Sequence, residues 1–210
     1  MKLRFFAMAA ALAMCLATVK PALADTTVYT QPWNTDNSFT SNTEFQTYDD
    51  FTLVSAATFN EVSWFGNFFE APTTFSVSFY ADNSGVPGTE ISSFNVGTGD
   101  QTDTGINIHG LELYSYSAAI PSQTLSAGTT WISIQNQSSG RWFWETADGG
   151  NQHFYQTDGT TQFNAGEPFD LAFTLSSVTV APVPEPSGIV LLGSGLAGLV
   201  GVVRRRTMKA

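Results

Sequence analysis

Basic residues and cysteine are scarce between the two ends of this 210-residue chain. Seven of the eight lysines and arginines lie before residue 21 or after residue 203, which leaves Arg141 alone in between. Seventeen Asp and Glu residues lie between Asp25 and Val183, so this stretch carries a formal charge of about −16. A surface this acidic repels nucleic acid and anionic lipid headgroups, and we expect neither as a direct partner.

The only cysteine, Cys15, lies near the N-terminus, so no disulfide is expected in the rest of the chain. An exported domain without disulfides depends on its apolar core or on bound ions for stability. The only histidines are His109 and His153, and no G-x-S-x-G or H-E-x-x-H motif occurs between the ends. The sequence therefore predicts a protein that is not an enzyme. A glycoside hydrolase, which needs only a pair of carboxylates, stays open as an alternative.

The N-terminus has the features of a secretory signal peptide in the required order. Lys2 and Arg4 precede an apolar stretch at residues 5–19, and the small-x-small sequence of residues 22–24 follows. Export machinery reads charge, then apolarity, then a cleavable segment. An apolar stretch of about 15 residues is shorter than the roughly 20 that span a bilayer. Residues 1–24 are therefore predicted to be a signal peptide.

A second apolar segment lies near the C-terminus. Residues 188–203 contain no charge, and as a helix they would be about 24 Å long, against about 30 Å for the hydrocarbon core of a bilayer. Arg204, Arg205 and Arg206 follow, and they would hold the last residues on the cytoplasmic side and extend the span by snorkelling. We therefore expect one transmembrane helix at residues 188–203, with the preceding domain outside the cytoplasm.

Pro184, Glu185 and Pro186, followed by this apolar segment and the three arginines, resemble the PEP-CTERM sorting signal of Gram-negative bacteria. The two prolines keep the backbone extended, in the form that a protease cleft can hold. The resemblance covers residues 183–210. It implies that the tripeptide is recognised by an exosortase, a membrane-embedded cysteine protease that removes or transfers the tail, and that the cell envelope produces exopolysaccharide. The alternative is a plain anchor with a proline-rich spacer.

Residues 25–182 read as one domain of strands and turns. Apolar and small polar residues alternate at residues 75–80, 131–134 and 171–175, which is typical of strands that bury one face. Gly, Asn and Asp cluster between such stretches, and no segment has helical periodicity. About ten short strands at this spacing predict an all-β fold, an antiparallel β-sandwich of jelly-roll kind. Further strands are expected at residues 45–53, 59–66, 91–96, 111–119, 141–146 and 152–156.

Trp142 and Trp144 are candidates for a ligand-binding site. In a strand they share one face, while Arg141 and Glu145 share the other. If the tryptophans face outward, they form an aromatic platform of the kind that stacks on sugar rings, with Arg141 as a further candidate. If they face inward, they belong to the core and Arg141 pairs with Glu145. The sequence favours the inward arrangement and leaves the outward one open.

Acidic loops on an exported domain would suit calcium, which takes six to eight oxygen ligands. The candidates are Asp100 and Asp103 in GDQTDTG, together with acidic turns at residues 82–83 and 148–151. None of them matches the D-x-[DN]-x-[DN]-G loop. The prediction is therefore a domain without a resident cofactor, with calcium kept as an alternative.

The segments YDDFTL at 48–53, VSWFGNFF at 62–69, FSVSFYADNSGVPG at 75–88 and LSAGTTWISIQN at 125–136 are similar to domains of other exported bacterial proteins with sorting tails. That loose group has no named activity. We expect a non-catalytic protein of the cell surface or extracellular matrix that is sorted by its tail and contacts polysaccharide. The alternatives are a secreted glycan-active hydrolase and a purely structural envelope component without a ligand.

Overall fold

The computed structural model describes residues 23–163 and 168–180. Residues 25–178 form a compact unit of strands. The segments predicted as sorting tripeptide, membrane helix and arginine stop lie outside the described residues, as does the signal peptide up to residue 22. Within the two described ranges, no helix is long and apolar enough to cross a bilayer.

The all-β prediction is confirmed for the described part of the chain, where fourteen strands and no helix occur. The paired strands run antiparallel. The strands are β1 (Leu23–Gln31), β2 (Trp33–Thr40), β3 (Gln46–Leu53), β4 (Ala57–Phe68), β5 (Phe75–Asp82), β6 (Pro87–Gly97), β7 (Asp100–Ile108), β8 (Leu111–Leu125), β9 (Gly128–Asn136), β10 (Trp142–Ala147), β11 (Phe154–Thr157), β12 (Gln162–Phe163), β13 (Asp170–Leu171) and β14 (Phe173–Val180).

The strands form two sheets. The six-stranded sheet has the order β12-β11-β3-β9-β5-β6. The eight-stranded sheet has the order β1-β14-β4-β10-β13. In addition, β2 pairs with β10, β8 pairs with β4, and β7 pairs with β8. The long strand β4 pairs with β8 along one side, and along the other side it pairs first with β14 and then with β10. The segment around Trp142 is thus fixed beside the middle of this sheet.

The inner faces of the two sheets share one hydrophobic core, which makes the fold a sandwich. Phe59 of β4 contacts Phe79 of β5 with ring centroids 5.4 Å apart, and Trp64 contacts Phe75 at 5.2 Å. The alternation predicted for β5 holds, because Phe75, Val77 and Phe79 are all 0 % exposed. Such burial is the main favourable term in folding and takes the place of disulfides here. The finer assignment to the jelly-roll class stays a prediction.

Four of the observed strands, β1, β2, β7 and the two-residue β12, are not predicted from the sequence. β2 reads WNTDNSFT and β7 reads DQTDTGINI, so both are mostly polar and lack an apolar alternation. They are held by backbone pairing with neighbours that bury more surface, β2 with β10 and β7 with β8. A polar strand at the side of a sheet needs a partner, and the local sequence does not reveal that partner.

Candidate functional site

Trp142 and Trp144 lie in the core, and both are 0 % exposed. The Trp142 ring contacts Phe75 of the other sheet with centroids 4.9 Å apart, and the Trp144 indole N–H donates to the Ala172 carbonyl oxygen over 2.8 Å. Gly66 makes room for Trp142, because a Cβ at residue 66 would lie 2.5 Å from the indole ring. An outward-facing aromatic platform is therefore wrong for these two residues.

Arg141 does not pair with Glu145, contrary to the expectation for inward-facing tryptophans. The Arg141 guanidinium lies over the Phe69 ring, 5.4 Å from its centroid, and the residue is exposed. Glu145 is 0 % exposed and accepts a hydrogen bond from the Asn67 side-chain amide. The second carboxyl oxygen of Glu145, Oε2, has no hydrogen-bond partner. The acid is therefore enclosed, while the arginine stays at the surface.

Burial raises the pKa of Glu145 to about 8, because an ionised carboxylate loses its hydration in the interior. In the unfolded chain its pKa is about 4.3. Between these two values the unfolded chain has lost the proton and the folded chain still holds it. The free energy of unfolding therefore falls as pH rises from about 4 to about 8, and this contribution is constant above that range.

The substitution Glu145→Gln is expected to stabilise the protein in a pH-dependent way. At about pH 4 variant and parent should unfold at the same urea concentration, and at about pH 9 the variant should be more stable by a few kcal/mol. Urea denaturation at both pH values measures this difference. Glu44→Gln, at an exposed position, is the matched control and should change little at either pH. An equal offset of Glu145→Gln at both pH values would contradict a buried protonated carboxyl.

The outer surface of the six-stranded sheet carries three neighbouring tyrosines, Tyr48, Tyr80 and Tyr155, which we call the tyrosine face. Tyr80 and Tyr155 are half-buried, and each directly follows a core phenylalanine in its strand, so their rings lie on the opposite side of the sheet. Tyr48 lies between them, with ring centroids 5.2 Å from Tyr80 and 5.8 Å from Tyr155, both edge to face. Tyr48 is only 8 % exposed, so the half-buried rings of Tyr80 and Tyr155 are the accessible part of this cluster.

Trp131 supports one end of the tyrosine face. It lies opposite Asp50 of β3 on one side and Tyr80 of β5 on the other. Its indole N–H donates to Asp82 Oδ1 over 2.9 Å, and its ring contacts the His153 ring at 5.2 Å. Trp131 is 0 % exposed, and the rings of His153 and Tyr155 pack against it.

Uncharged polar groups continue the surface on the other side. The Gln46 amide donates to Tyr80 Oη over 3.1 Å and to Ser133 Oγ over 3.2 Å, which fixes both its position and its orientation. Directly after β9, the Gln137 amide donates to Ser76 Oγ and to Gln135 Oε1. Amide and hydroxyl groups of this kind both donate and accept hydrogen bonds. They are the partners that the hydroxyl groups of a sugar need.

His153 and Asp50 close the end of the tyrosine face at which Trp131 lies. His153 Nδ1 lies 3.0 Å from Asp50 Oδ1, and the Asn151 amide donates to Asp50 Oδ2 over 2.8 Å. Burial raises the pKa of Asp50, and the hydrogen bond from Asn151 opposes that change. Both carboxylate oxygens of Asp50 therefore have partners from one loop, residues 151–153.

A buried carboxylate holds that loop in place. Asp170 is 2 % exposed, and its oxygens accept hydrogen bonds from the backbone N–H groups of Gln152 and His153. Gln152 has a φ of 61°, a left-handed conformation that costs energy for a residue with a side chain. Gly150 lies so close that a Cβ there would come within 2.3 Å of the Asp170 carboxylate. Asp170 thus positions His153 against Trp131.

Asp49 faces the interior beside this loop and is 0 % exposed. Its Oδ2 accepts a hydrogen bond from the Leu171 N–H over 2.8 Å. Burial raises the pKa of Asp49 well above its ordinary value. Asp49 therefore belongs to the supporting structure and not to the exposed surface.

The calcium candidates Asp100 and Asp103 lie in the eight-stranded sheet, whereas Asp82 and Asn151 lie beside the tyrosine face and are bonded to Trp131 and Asp50. Asp100 opens β7, and Asp103 Oδ1 accepts a hydrogen bond from the Gly105 N–H over 2.8 Å within the same strand. Among residues 23–163 and 168–180, no group of three or more His, Cys, Asp or Glu side chains has an arrangement that could hold a metal ion. The structure therefore adds no support to the calcium alternative.

The arrangement that the sequence favours, with Trp142 and Trp144 in the core, is confirmed, and the aromatic residues on the outer surface are others. The signal for the tyrosine face is nevertheless present, since Phe79-Tyr80 and Phe154-Tyr155 each place a tyrosine one position beyond a core phenylalanine. Trp131 likewise precedes the core residue Ile132. Alternation assigns such residues to the outer side of the sheet.

Comparison with known proteins concerns the tail. A family model described as the PEP-CTERM protein-sorting motif matches residues 182–206. The chain carries a PEP-CTERM sorting motif. This motif indicates an exported protein that is anchored in the membrane and then processed, with an exosortase as the processing enzyme. No curated protein matches the sequence.

Proposed function

We propose that this PEP-CTERM protein is a non-catalytic component of the cell surface or extracellular matrix and contacts polysaccharide through the tyrosine face. The observation that carries the proposal is the cluster of Tyr48, Tyr80 and Tyr155 on the outside of the six-stranded sheet, next to the ordered amide of Gln46. Aromatic rings stack on the apolar faces of sugars, and amides bond their hydroxyl groups.

The location of the protein follows from its two ends. A signal peptide at residues 1–24 exports the chain, and a helix at residues 188–203 anchors it in the inner membrane with the domain outside the cytoplasm. Processing at the Pro184-Glu185-Pro186 motif then moves the domain to the cell surface or the medium. The sorting motif supports this sequence of events.

The surroundings of the buried acids support a role without catalysis. Asp49 and Glu145, the carboxyl groups whose pKa burial raises most, are 0 % exposed, so a substrate would not reach them. Asp50 lies nearer the surface, but both its oxygens are bonded to Asn151 and His153. A glycosidase needs two carboxyl groups on either side of an accessible cleft.

Removing the tyrosine rings is expected to weaken glycan binding. The variants Tyr80→Ala and Tyr155→Ala should each reduce affinity by about tenfold or more, because each deletes a stacking surface near the centre of the contact. Glycan-array screening of the exported protein, followed by titration calorimetry with the strongest ligand, measures this loss. Phe69→Ala is the matched control. Phe69 is an aromatic residue that is 62 % exposed, and it directly follows β4 of the eight-stranded sheet.

The three functional hypotheses differ in this experiment. Unchanged glycan retention in both tyrosine variants, with the fold intact by circular dichroism, would contradict the tyrosine face as the contact surface. Release of reducing sugar would establish a hydrolase instead. An exported protein that retains no glycan on the array would favour the purely structural component.

A further inference from the structure

We infer that the tyrosine face selects uncharged polysaccharides and rejects anionic ones. This inference rests on the proposed function and narrows it to one class of ligand. It depends on the charges at and around the tyrosine face, and not on the aromatic rings themselves.

Carboxylates border the tyrosine face. Glu90 of β6 is exposed and pairs with Tyr80 of β5. Asp82 follows in β5, and the hydrogen bond from the Trp131 indole lowers its pKa, so it remains ionised over a wide pH range. A uronate or sulfate group on the ligand would lie close to these negative charges, and like charges at an interface oppose association.

No compensating cation is available on this surface. Arg141 is the only lysine or arginine in residues 23–163 and 168–180, and its guanidinium lies over Phe69, next to the eight-stranded sheet. His153 touches the tyrosine face, but its Nδ1 is bonded to Asp50.

The hydrogen-bonding groups of the surface match hydroxyl groups. Anionic groups are recognised through charge-assisted bonds, above all from arginine. The surface beside the tyrosine face offers neutral groups instead, namely the amides of Gln46, Gln135 and Gln137 with the hydroxyl group of Ser76. An uncharged, hydroxyl-rich polymer can form hydrogen bonds with these groups, and it carries no negative charge that the neighbouring carboxylates would repel.

The test compares neutral polymers with anionic derivatives of the same backbone. The exported protein is run through native gels that contain hydroxyethylcellulose, dextran or guar galactomannan, or the carboxymethyl derivative of each backbone. We expect at least one neutral polymer to retard the protein, with its carboxymethyl derivative at least about tenfold weaker in apparent affinity. Mobility is expressed relative to a gel without polymer, so that changes in protein charge cancel.

Two charge-reversal variants distinguish the effect of the charges beside the tyrosine face from the effect of the protein's net charge. Glu90→Lys should increase retardation by the carboxymethyl polymer, because it replaces a carboxylate beside Tyr80 with a cation. Glu112→Lys makes the same change in net charge at an exposed position of β8, in the eight-stranded sheet, and should leave that retardation near the parent value.

The possible results test the inferred selectivity separately from the proposed binding of polysaccharide. Equal retardation by a neutral polymer and its carboxymethyl derivative, or retardation by the anionic member alone, would overturn the selectivity while leaving glycan binding in place. Equal effects of Glu90→Lys and Glu112→Lys would also overturn it, because rejection would then come from net charge. A protein that none of the six polymers retards would contradict the proposed function and, with it, this inference.

Discussion

Replacing Pro184, Glu185 and Pro186 together with alanine is expected to abolish processing of the tail. The matched sorting motif includes these residues, and two prolines keep the segment before the membrane extended. Three alanines remove the carboxylate and favour a helical conformation that would extend the helix proposed at residues 188–203. The exported protein should then remain in the membrane fraction at full length, with almost no processed form.

Intact-mass analysis of protein from the membrane and from the medium measures this effect. Pro168→Ala is a suitable control, because Pro168 is exposed and lies outside the matched motif. It should be processed like the parent. If the parent carries an identical full-length tail in every fraction, the tail is a plain anchor. A reporter fused after residue 182 that stays in the cytosol would contradict export itself.

The substitutions Trp142→Ala and Trp144→Ala are expected to cost about 3–5 kcal/mol each in the free energy of unfolding. Both side chains are fully buried, and Trp144 also loses its hydrogen bond to the Ala172 carbonyl. Native domains are stable by only about 5–15 kcal/mol, so the double variant should be largely unfolded. Urea denaturation of the single variants gives the two costs separately.

Phe69→Ala is again the matched control, since removing a 62 % exposed aromatic ring should change stability by less than about 1 kcal/mol. A different pattern would reverse the interpretation of strand β10. If Trp142→Ala and Trp144→Ala kept full stability but lost glycan binding, the tryptophans would have to face outward. That result would contradict the proposal that the tyrosine face is the binding surface.

The sequence predicts those strands that bury one face against the core. Phe75, Val77 and Phe79 show this alternation, and every one of them is fully buried. The predicted turns at residues 82–85 and 148–151 also separate strands in the structure. Local pattern is enough in these cases, because each residue's environment depends mainly on the side of the strand that it occupies.

Other features depend on contacts between distant strands, which local pattern does not contain. Glu145 occupies a position that alternation assigns to the outside, yet it is buried beside Asn67, 78 residues earlier in the chain. The tyrosine face combines β11, β3 and β5, and the sequence does not reveal that these strands lie close together. Individual residues could be assigned to the outer side of a sheet, but their assembly into one surface could not.

The pairing of β1 with β14 sets the order in which the domain can mature during secretion. Thr30 and Thr174 touch through their hydroxyl oxygens, 2.8 Å apart across 144 positions of the chain. A chain that emerges N-terminus first therefore cannot complete the eight-stranded sheet until nearly all of it has been delivered. By then the sorting motif is the next segment to arrive, so final closure of the sheet and presentation of the tail to its protease are close together in time.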